Sequence, residues 1–452
     1  MNIIVVGCGK IGRAVISALV NEGHDVVAID KNQEKVEEVT NQIDIMGVCG
    51  SGTDCDTLLD AGAGKADVFL ATTASDELNM LSCFIAKNLG AKNTVARIRD
   101  RAYSENNLNF LSQQLKLRMS FNPEKLAAHD IYNVLKLPTV AHIETFSTRR
   151  FEIVELVLRE DSPLAGVRIM DLRKKYHANF LICAVLRGEE VIIPGGDFGL
   201  ESGDRIAITA APTEIIKLLR HLKLAKKQAK NVMILGASRT AYYLTKLLLA
   251  SGSNVTVIDK DPDVCNKFSE ALPGANVILG DGAQQEILHE EGLNTVDAFI
   301  SLTGIDEENI LLSYYAQSQE VPKVITKVNR DEFISLANRL GLDTIISPRR
   351  AISDLMLRYT RATENTVGSN IETLYKIMEE HAEALKFKVS PDFKYLNVPL
   401  KDINFKKNIL IAGILRNRKA MVPTGDDVFM EGDKAIVISA GHKLRDLQDI
   451  IA

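Results

Sequence analysis

The sequence predicts an α/β protein of tandem build: a doubly wound parallel-sheet domain, a small α+β domain, and then the same pair again. Three observations carry this. Short apolar runs alternate with helical patterns through residues 2–121 and again from residue 231. MNIIVVGCGKIG, ending at Asp30 after VVAI, is answered by NVMILGASRTA, ending at Asp259 after VTVI, with Gly7-to-Asp30 spacing equal to Gly236-to-Asp259. LICAVLRGEEVIIPGGDFGLESGD at 181–204 recurs without a gap as LIAGILRNRKAMVPTGDDVFMEGD at 410–433. Similarity that runs through both kinds of domain in one order marks a duplication, and Gly7 and Gly236 lie 229 positions apart.

The elements follow in order. NIIVV at 2–6 is a continuous apolar run, as a strand buried on both faces requires. The glycine-marked turn 7–12 comes next, and Ala14, Val15, Ala18 and Leu19 then recur at helical spacing up to Gly23. VVAID is the second strand, and Glu34, Lys35, Glu37 and Glu38 mark a solvated helix face. IDIMGVCG is a third strand, TDCDTLLDAG a short helix capped by Thr53 or Asp54, and ADVFLATT a fourth strand. Residues 76–89 form a helix, TVARI a fifth strand and LRMSF a sixth. Alternation of this kind gives a parallel sheet with right-handed crossovers and helices on both faces. PEKLAAHDIYNVLK at 123–136 is a helix leaving the domain, with Pro123 in its first turn and Pro138 beyond its end.

From about residue 150 the pattern changes to FEIVELVL, a short helix at 167–176, a β-meander with turns at Arg187-Gly188, Gly195-Gly196 and Gly203-Asp204, and a closing helix at 213–222. Lys223 to Lys230 is a basic polar spacer. The programme then restarts. Thr72-Thr73, Asp76-Glu77 and Asn79 return as Leu302-Thr303, Asp306-Glu307 and Asn309, VARI as ITKV, and the exit helix as Pro348 to Arg358.

Composition narrows the function classes. At 452 residues a length prior gives roughly three domains; the repeat divides the chain further. The net charge of −5 argues against a polyanion binder, which needs clustered cations. Six cysteines without a CxxC pair read as reduced cytosolic thiols, and eight isolated histidines offer no metal motif. Met1 leads straight into strand residues, and the longest apolar runs, such as FLICAVL, fall far short of the roughly 20 residues a spanning helix needs. The expectation is a cytoplasmic protein that meets a membrane only through a partner.

The glycine turn carries the chemistry. Gly7 lets the chain leave the strand sharply, Gly9 lets the backbone approach a pyrophosphate, and Gly12 lets the helix pack closely on the sheet. The unsatisfied amides at the helix start favour phosphate. Asp30 sits where a carboxylate accepts the adenosine ribose hydroxyls and repels a 2′-phosphate, so NAD(H) is favoured over NADP. Gly50-Ser51 are placed for the adenine side, Thr72-Thr73 for the phosphates or second ribose, and Arg97 for a phosphate or a structural ion pair. The second copy reads Gly236-Ala237-Ser238-Arg239-Thr240-Ala241, with Asp259 in place. Ser238 stands where closest approach demands glycine, so this site is expected to be weaker or empty. No catalytic constellation accompanies the turns: His177 and His221 match Lys406 and Ile450 in the second copy. An NAD-dependent oxidoreductase of unknown substrate is the alternative function.

The domain order, GCGKIG with Asp30, the run from Thr72 to Asn79, Ala96-Arg97-Ile98 and the turn PGGDFGLESGD resemble the TrkA family, regulatory subunits of bacterial Trk potassium uptake systems. The resemblance spans essentially the whole chain. It implies two Rossmann-like RCK-N domains, at 1–122 and 231–347, each followed by a small α+β RCK-C domain, at 140–222 and 371–452. Residues 123–139 and 348–370 become crossover helices and 223–230 a linker. It implies NAD(H), or alternatively ATP or ADP, held by Gly7, Cys8, Gly9, Lys10, Ile11, Gly12, Asp30, Lys31, Gly50, Ser51, Thr72, Thr73 and Arg97. The matching second set is Gly236, Ala237, Ser238, Arg239, Thr240, Asp259, Gly280, Asp281 and Lys327. It further implies a TrkH- or TrkG-type membrane partner, a homotetramer, no enzymatic activity and no nucleic-acid binding. The exit helices are then the candidate moving interfaces, and the small domains are candidate sensors of another effector.

Overall fold

The computed structural model describes residues 1–103, 105–136, 142–146, 151–176, 179–222, 229–342, 344–364, 371–378, 381–417 and 419–452. Most of the spacer 223–230, His177, the ends of both crossover segments and Pro138 lie outside the described residues.

The first nucleotide-type domain runs β1 (Asn2–Val6), α1 (Lys10–Asn21), β2 (Asp25–Asp30), α2 (Gln33–Gln42), β3 (Met46–Cys49), α3 (Cys55–Asp60), β4 (Val68–Ala71), α4 (Asp76–Leu89), β5 (Asn93–Arg97), α5 (Glu105–Gln114) and β6 (Met119–Phe121). Its six strands are parallel in the order β3-β2-β1-β4-β5-β6. That order reverses direction between β1 and β4, which opens a crevice at their carboxyl ends. The apolar run of β1 is buried because β2 and β4 flank it and helices cover both faces. Helix α1 lays Val15, Ile16 and Leu19 on the sheet; burying each is worth about 1.5–3 kcal/mol. Asp54 is the cap of α3, its carboxylate accepting from the Thr57 amide and hydroxyl, which holds that carboxyl below its ordinary range.

Helix α6 (Pro123–Lys136) leaves this domain as expected. The first small domain comprises β7 (His142–Phe146), β8 (Phe151–Val157), α7 (Ile169–Tyr176), β9 (Phe180–Arg187), β10 (Glu190–Ile192), β11 (Arg205–Ala210) and α8 (Pro212–His221). The second nucleotide-type domain comprises β12 (Asn231–Leu235), α9 (Arg239–Ala250), β13 (Asn254–Asp259), α10 (Pro262–Ala271), β14 (Asn276–Leu279), α11 (Gln285–Glu290), β15 (Ala298–Ser301), α12 (Asp306–Ser318), β16 (Val324–Lys327), α13 (Asp331–Arg339) and β17 (Ile345–Ile346). After α14 (Pro348–Glu364), the second small domain contributes β18 (Ile371–Ile377), β19 (Ala382–Lys388), β20 (Ile409–Arg416), β21 (Lys419–Met421) and β22 (Lys434–Ala440).

The duplication holds at the level of topology. The second parallel sheet is ordered β14-β13-β12-β15-β16-β17, and the small sheets are β10-β9-β11-β8-β7 and β18-β19-β22-β20-β21, which are the same order read from opposite ends. The ungapped motif of the small domains is explained by an ion pair. Arg187 grips Asp204 through Nε at 2.7 Å and Nη2 at 2.8 Å, and Arg416 grips Asp433 through Nε at 2.9 Å and Nη2 at 2.7 Å. The closing turn, with Gly203 and Gly432 at φ +88° and +80°, is thereby tied to the end of β9 in the first small domain and of β20 in the second.

Two compact units emerge, one of 1–128 with 347–360 and one of 129–346 with 361–452. Within the first, Ile352, Met356 and Leu357 of α14 pack into the core formed by Ile3, Val5, Cys8, Val15, Ile16 and Leu19. The exit helix of the second half therefore completes the first nucleotide-type domain. Within the second unit the two small sheets share a core that includes Phe151, Ile153, Ile377, Ala412 and Ile436. Gly413 is required there, because a Cβ would lie 2.5 Å from the Phe151 ring. The six cysteines are free, Cys49 and Cys55 exposed and the other four buried. Among the described residues no helix is long and apolar enough to cross a membrane, and no group of His, Cys, Asp or Glu could hold a metal ion.

Candidate functional site

The crevice at the carboxyl end of each parallel sheet is built the same way. At the end of β1, Gly7 turns with φ +100°, and a Cβ there would press on the Thr73 amide at 3.0 Å. At Gly12 a Cβ would fall 1.8 Å from the Gly7 carbonyl oxygen, so glycine lets α1 sit this close to the turn. Both are demands of the fold.

Gly9 is different. Its φ of −73° and ψ of −174° suit any residue, and a Cβ would meet nothing beyond its chain neighbours within 4 Å. The fold does not need glycine at this position; the space in front of it suits a phosphate. Gly9 also caps α1 without any side-chain hydrogen bond, so the first amides of the helix keep their capacity for an anion. Lys10 is exposed beside them.

Asp30 has a role that sequence reasoning missed. Its Oδ2 accepts from the Cys8 amide at 2.7 Å and its Oδ1 from the Asn32 amide at 3.0 Å. A carboxylate has about four acceptor positions, so the remaining two are available to a ribose diol. Cys8 is fully buried under this brace. Burial, with the Asp30 charge adding to it, pushes its thiol up to about 12; it is an inert packing group. Gly50 closes on Thr57, where a Cβ would lie 2.5 Å from the hydroxyl oxygen. Ser51 and Lys31 are exposed at the rim.

The threonines and the arginine also carry hydrogen bonds that hold the frame together. Thr72 is buried, its hydroxyl donating to the Val6 and Gly7 carbonyls at 3.1 Å each, so it ties β4 to the glycine turn. Thr73 donates to Asn79 Oδ1 through its amide at 2.8 Å and its hydroxyl at 2.7 Å. Asn79, fully buried, returns its amide to the Thr73 and Arg97 carbonyls at 3.2 and 2.9 Å. Arg97 is 8 % exposed and its guanidinium donates to the Thr73 carbonyl. Asp76 accepts the Arg99 and Asp100 amides at 2.7 Å each. The run from Thr72 to Asn79 is thus a clasp that fixes the ends of β4 and β5 beside the crevice.

The second copy repeats the frame. Gly236 has φ +91°, and Asp259 accepts from the Ala237 and Asp261 amides at 2.7 and 3.0 Å. Asn309 accepts from the Thr303 amide and hydroxyl and donates to the Thr303 and Lys327 carbonyls. Lys327 Nζ donates to the Leu302 carbonyl at 3.2 Å, the counterpart of Arg97. An open cleft of about 400 Å³ is lined by Gly236, Ala237, Ser238, Asp259, Gly280 and Asp281 from the expected set. Sequence reasoning missed its apolar wall of Leu235, Ile258, Val264 and Ile305, together with Lys260 and Glu308. Arg239, Thr240 and Lys327 do not line it; Thr240 is buried in the helix and Arg239 is exposed.

The copies part at one position. Ser238 has nearly the backbone of Gly9, φ −70° and ψ 171°, but its Oγ accepts from the Ala241 amide at 3.4 Å. The second helix therefore caps itself where the first has no side-chain cap. Acidic groups add to the difference: Asp281 and Glu308 line the second cleft where the first half has Ser51 and Leu78.

With this geometry in hand, comparison with known proteins is informative. The TrkA-N domain matches residues 3–111 and 232–348, and the TrkA-C domain matches 153–223 and 385–452. A "Trk system potassium uptake protein TrkA homolog" of Archaeoglobus fulgidus is 28 % identical over 450 residues, covering 100 % of both chains. The "Trk system potassium uptake protein TrkA" of Vibrio alginolyticus is 28 % identical over 446 residues, 98 % of this chain and 96 % of that one. Among solved structures, the GsuK channel has a TM-score of 0.63 at 17 % identity over 97 % of this chain and 77 % of that one. The GsuK channel bound to NAD has a TM-score of 0.62 with the same identity and coverage. At that identity the likeness is one of fold. The chain belongs to the TrkA family, and each of its halves is a TrkA-N domain followed by a TrkA-C domain.

Proposed function

We propose that this protein is the nucleotide-binding regulatory subunit of a Trk-type potassium uptake system, and that its first cleft is the principal nucleotide site. The observation that carries the site assignment is Gly9. Glycine there is idle for the fold, stands at an uncapped helix terminus, and follows Cys8, whose amide donates to the Asp30 carboxylate. Adenine dinucleotide, or ADP or ATP, fits that set: two free acceptor positions for the ribose and helix amides for the phosphates. The names of the full-length relatives support the potassium-uptake reading.

Regulation follows from differential binding. A nucleotide shifts a two-state assembly only by binding one state better, and such couplings run at about 1–3 kcal/mol per site. The protein acts on a TrkH- or TrkG-type membrane subunit from the cytoplasmic side, as a homotetramer, without catalysis of its own.

The test is calorimetric titration of NADH and of ADP into the purified full-length chain, with molar mass measured by light scattering. Micromolar saturable binding and a tetramer mass support the reading. No binding of either nucleotide would overturn it, as would substrate-dependent NADH turnover that disappears in Asp30→Ala.

A further inference from the structure

We propose that Arg99 and Glu124 form a latch through which the first nucleotide cleft holds exit helix α6, and that nucleotide binding tightens it. The proposal rests on the nucleotide reading of that cleft. Its geometry is independent of that reading.

Arg99 follows β5 and is fixed at both ends of its backbone. Its amide donates to Asp76 Oδ2 in the first turn of α4, and its carbonyl accepts from Asn122 Nδ2 at 3.4 Å. Asn122 in turn accepts from the Lys125 amide at 2.9 Å and so caps α6. The guanidinium reaches both ways. Nη2 donates to the Ala74 carbonyl at 3.3 Å, in the loop that starts at Thr73, and Nη1 lies 3.4 Å from Glu124 Oε1 on α6. The two side chains are 22 % and 19 % exposed.

The pair is only half engaged. Arg99 Nε and Glu124 Oε2 are buried without a hydrogen-bond partner. Arginine and carboxylate can form two parallel bonds, and a buried polar group without a partner bears its full desolvation penalty. A small shift of the Ala74 loop would free Nη2 to join Nη1 on Glu124 and give Oε2 its partner. That loop leaves the clasp beside the crevice, and the matching residues Thr303 and Gly304 line the second cleft. A nucleotide drawing on the loop therefore pulls the Arg99 fork onto Glu124.

What the latch holds is the covalent route out of the domain. Helix α6 starts in the first compact unit, and its residues from His129 onward belong to the second. The second half lacks the chemistry: its matching residues are Asn329 and Arg349, and Asn329 Nδ2 is spent on Asp306 Oδ1 at 2.8 Å. The latch thus wires the first cleft, and not the second, to its own exit helix.

The test is hydrogen exchange over residues 123–136 of the full-length chain, with and without saturating NADH, alongside calorimetry and thermal melts. In the unmodified protein NADH should slow exchange in the first turns of α6 by roughly tenfold. Glu124→Gln should bind NADH within about twofold of the parent and lose that protection, and the Arg99→Gln, Glu124→Gln double variant should behave as the single, because the two act as a unit. Should Glu124→Gln melt early, Arg99→Lys, which keeps the charge and removes the fork, is expected to lose most of the protection. Undiminished protection in the folded variants, or no protection in the parent with NADH bound, would overturn the latch. Absence of NADH binding to the parent would instead overturn the nucleotide reading beneath it.

Discussion

The two nucleotide-type domains share strand order, glycine turn, carboxylate brace and asparagine clasp, and they differ at the residue that opens the helix. Gly9 leaves a helix terminus bare and space before it; Ser238 puts a Cβ and an internal cap in the same place. The frame of the fold and the fitness for an anion are therefore separable. Duplication preserved the groups that hold strands and turns together, Asp30 with Asp259 and Asn79 with Asn309. It let the residue that opens the helix change, because the fold does not depend on glycine there.

The comparison breaks most sharply at Gly9. Gly9→Val places a branched side chain where the pyrophosphate backbone contact belongs. NADH affinity at the first cleft should fall about 100-fold, or about 2.7 kcal/mol. Thermal stability should fall by no more than about 1 kcal/mol, the cost of a poorer helix cap, since an added Cβ meets open space. Calorimetry and a melt on one sample check both, and unchanged affinity would remove Gly9 from the site.

The clasp tests the opposite side, where the copies should agree. Asn79→Ala removes the acceptor of the Thr73 amide and a donor to the Arg97 carbonyl, and Asn309→Ala does the same to Thr303 and Lys327. Each should cost about 2–3 kcal/mol in chemical denaturation. Unequal costs would mean that the frame has diverged along with the ligand site.

How far these features could be read in advance depended on their range. Both parallel sheets, the placement of Asp30 and Asp259 and the duplicated turns were legible, because strand–turn–helix patterning is local and recurs at a fixed offset. Helix α5, ENNLNFLSQQ, was missed because its apolar residues are too sparse to show a face. Strands β7 and β18, both at sheet edges, were missed because HIETF and IETLYKI are short. Thr72, Thr73 and Arg97 also hold the ends of β4 and β5 together, a structural task that their positions at strand ends did not announce. Sequence shows a polar residue at a strand end but not whether its partner is a ligand or the carbonyl of the next strand. That α14 would complete the core of the first domain rested on a contact across more than half the chain, for which its amphipathic pattern names no partner.

Asp30 and Asp259 sharpen the comparison further, because each braces its turn while only the first is proposed to meet a ribose tightly. Both alanine variants should lose about 1 kcal/mol of stability from the orphaned Cys8 or Ala237 amide. Asp30→Ala should also weaken NADH about tenfold at the first cleft, whereas Asp259→Ala should leave that binding event untouched. Parallel titrations read the difference, and equal effects on the first site would deny Asp30 its ligand role.

The finest test restores what the second copy lost. Ser238→Gly removes the internal cap and its Cβ while keeping a backbone that glycine adopts without strain. Replacing a serine cap by glycine costs only a few tenths of a kcal/mol, so the fold should hold. The Ala241 amide is then released at the helix terminus, and the 400 Å³ cleft gains the approach that Gly9 gives the first. ADP should bind the second cleft a few-fold more tightly, read as a second calorimetric transition or as added stability of the 231–346 region in hydrogen exchange. The gain stays small because Asp281 and Glu308 still repel phosphate from the rim, and lower salt should make that repulsion more visible. If Ser238→Gly gains nothing, while Asp281→Asn combined with it does, the acidic rim rather than the serine separates the two clefts. If neither gains, the second domain's difference lies outside the residues that line it.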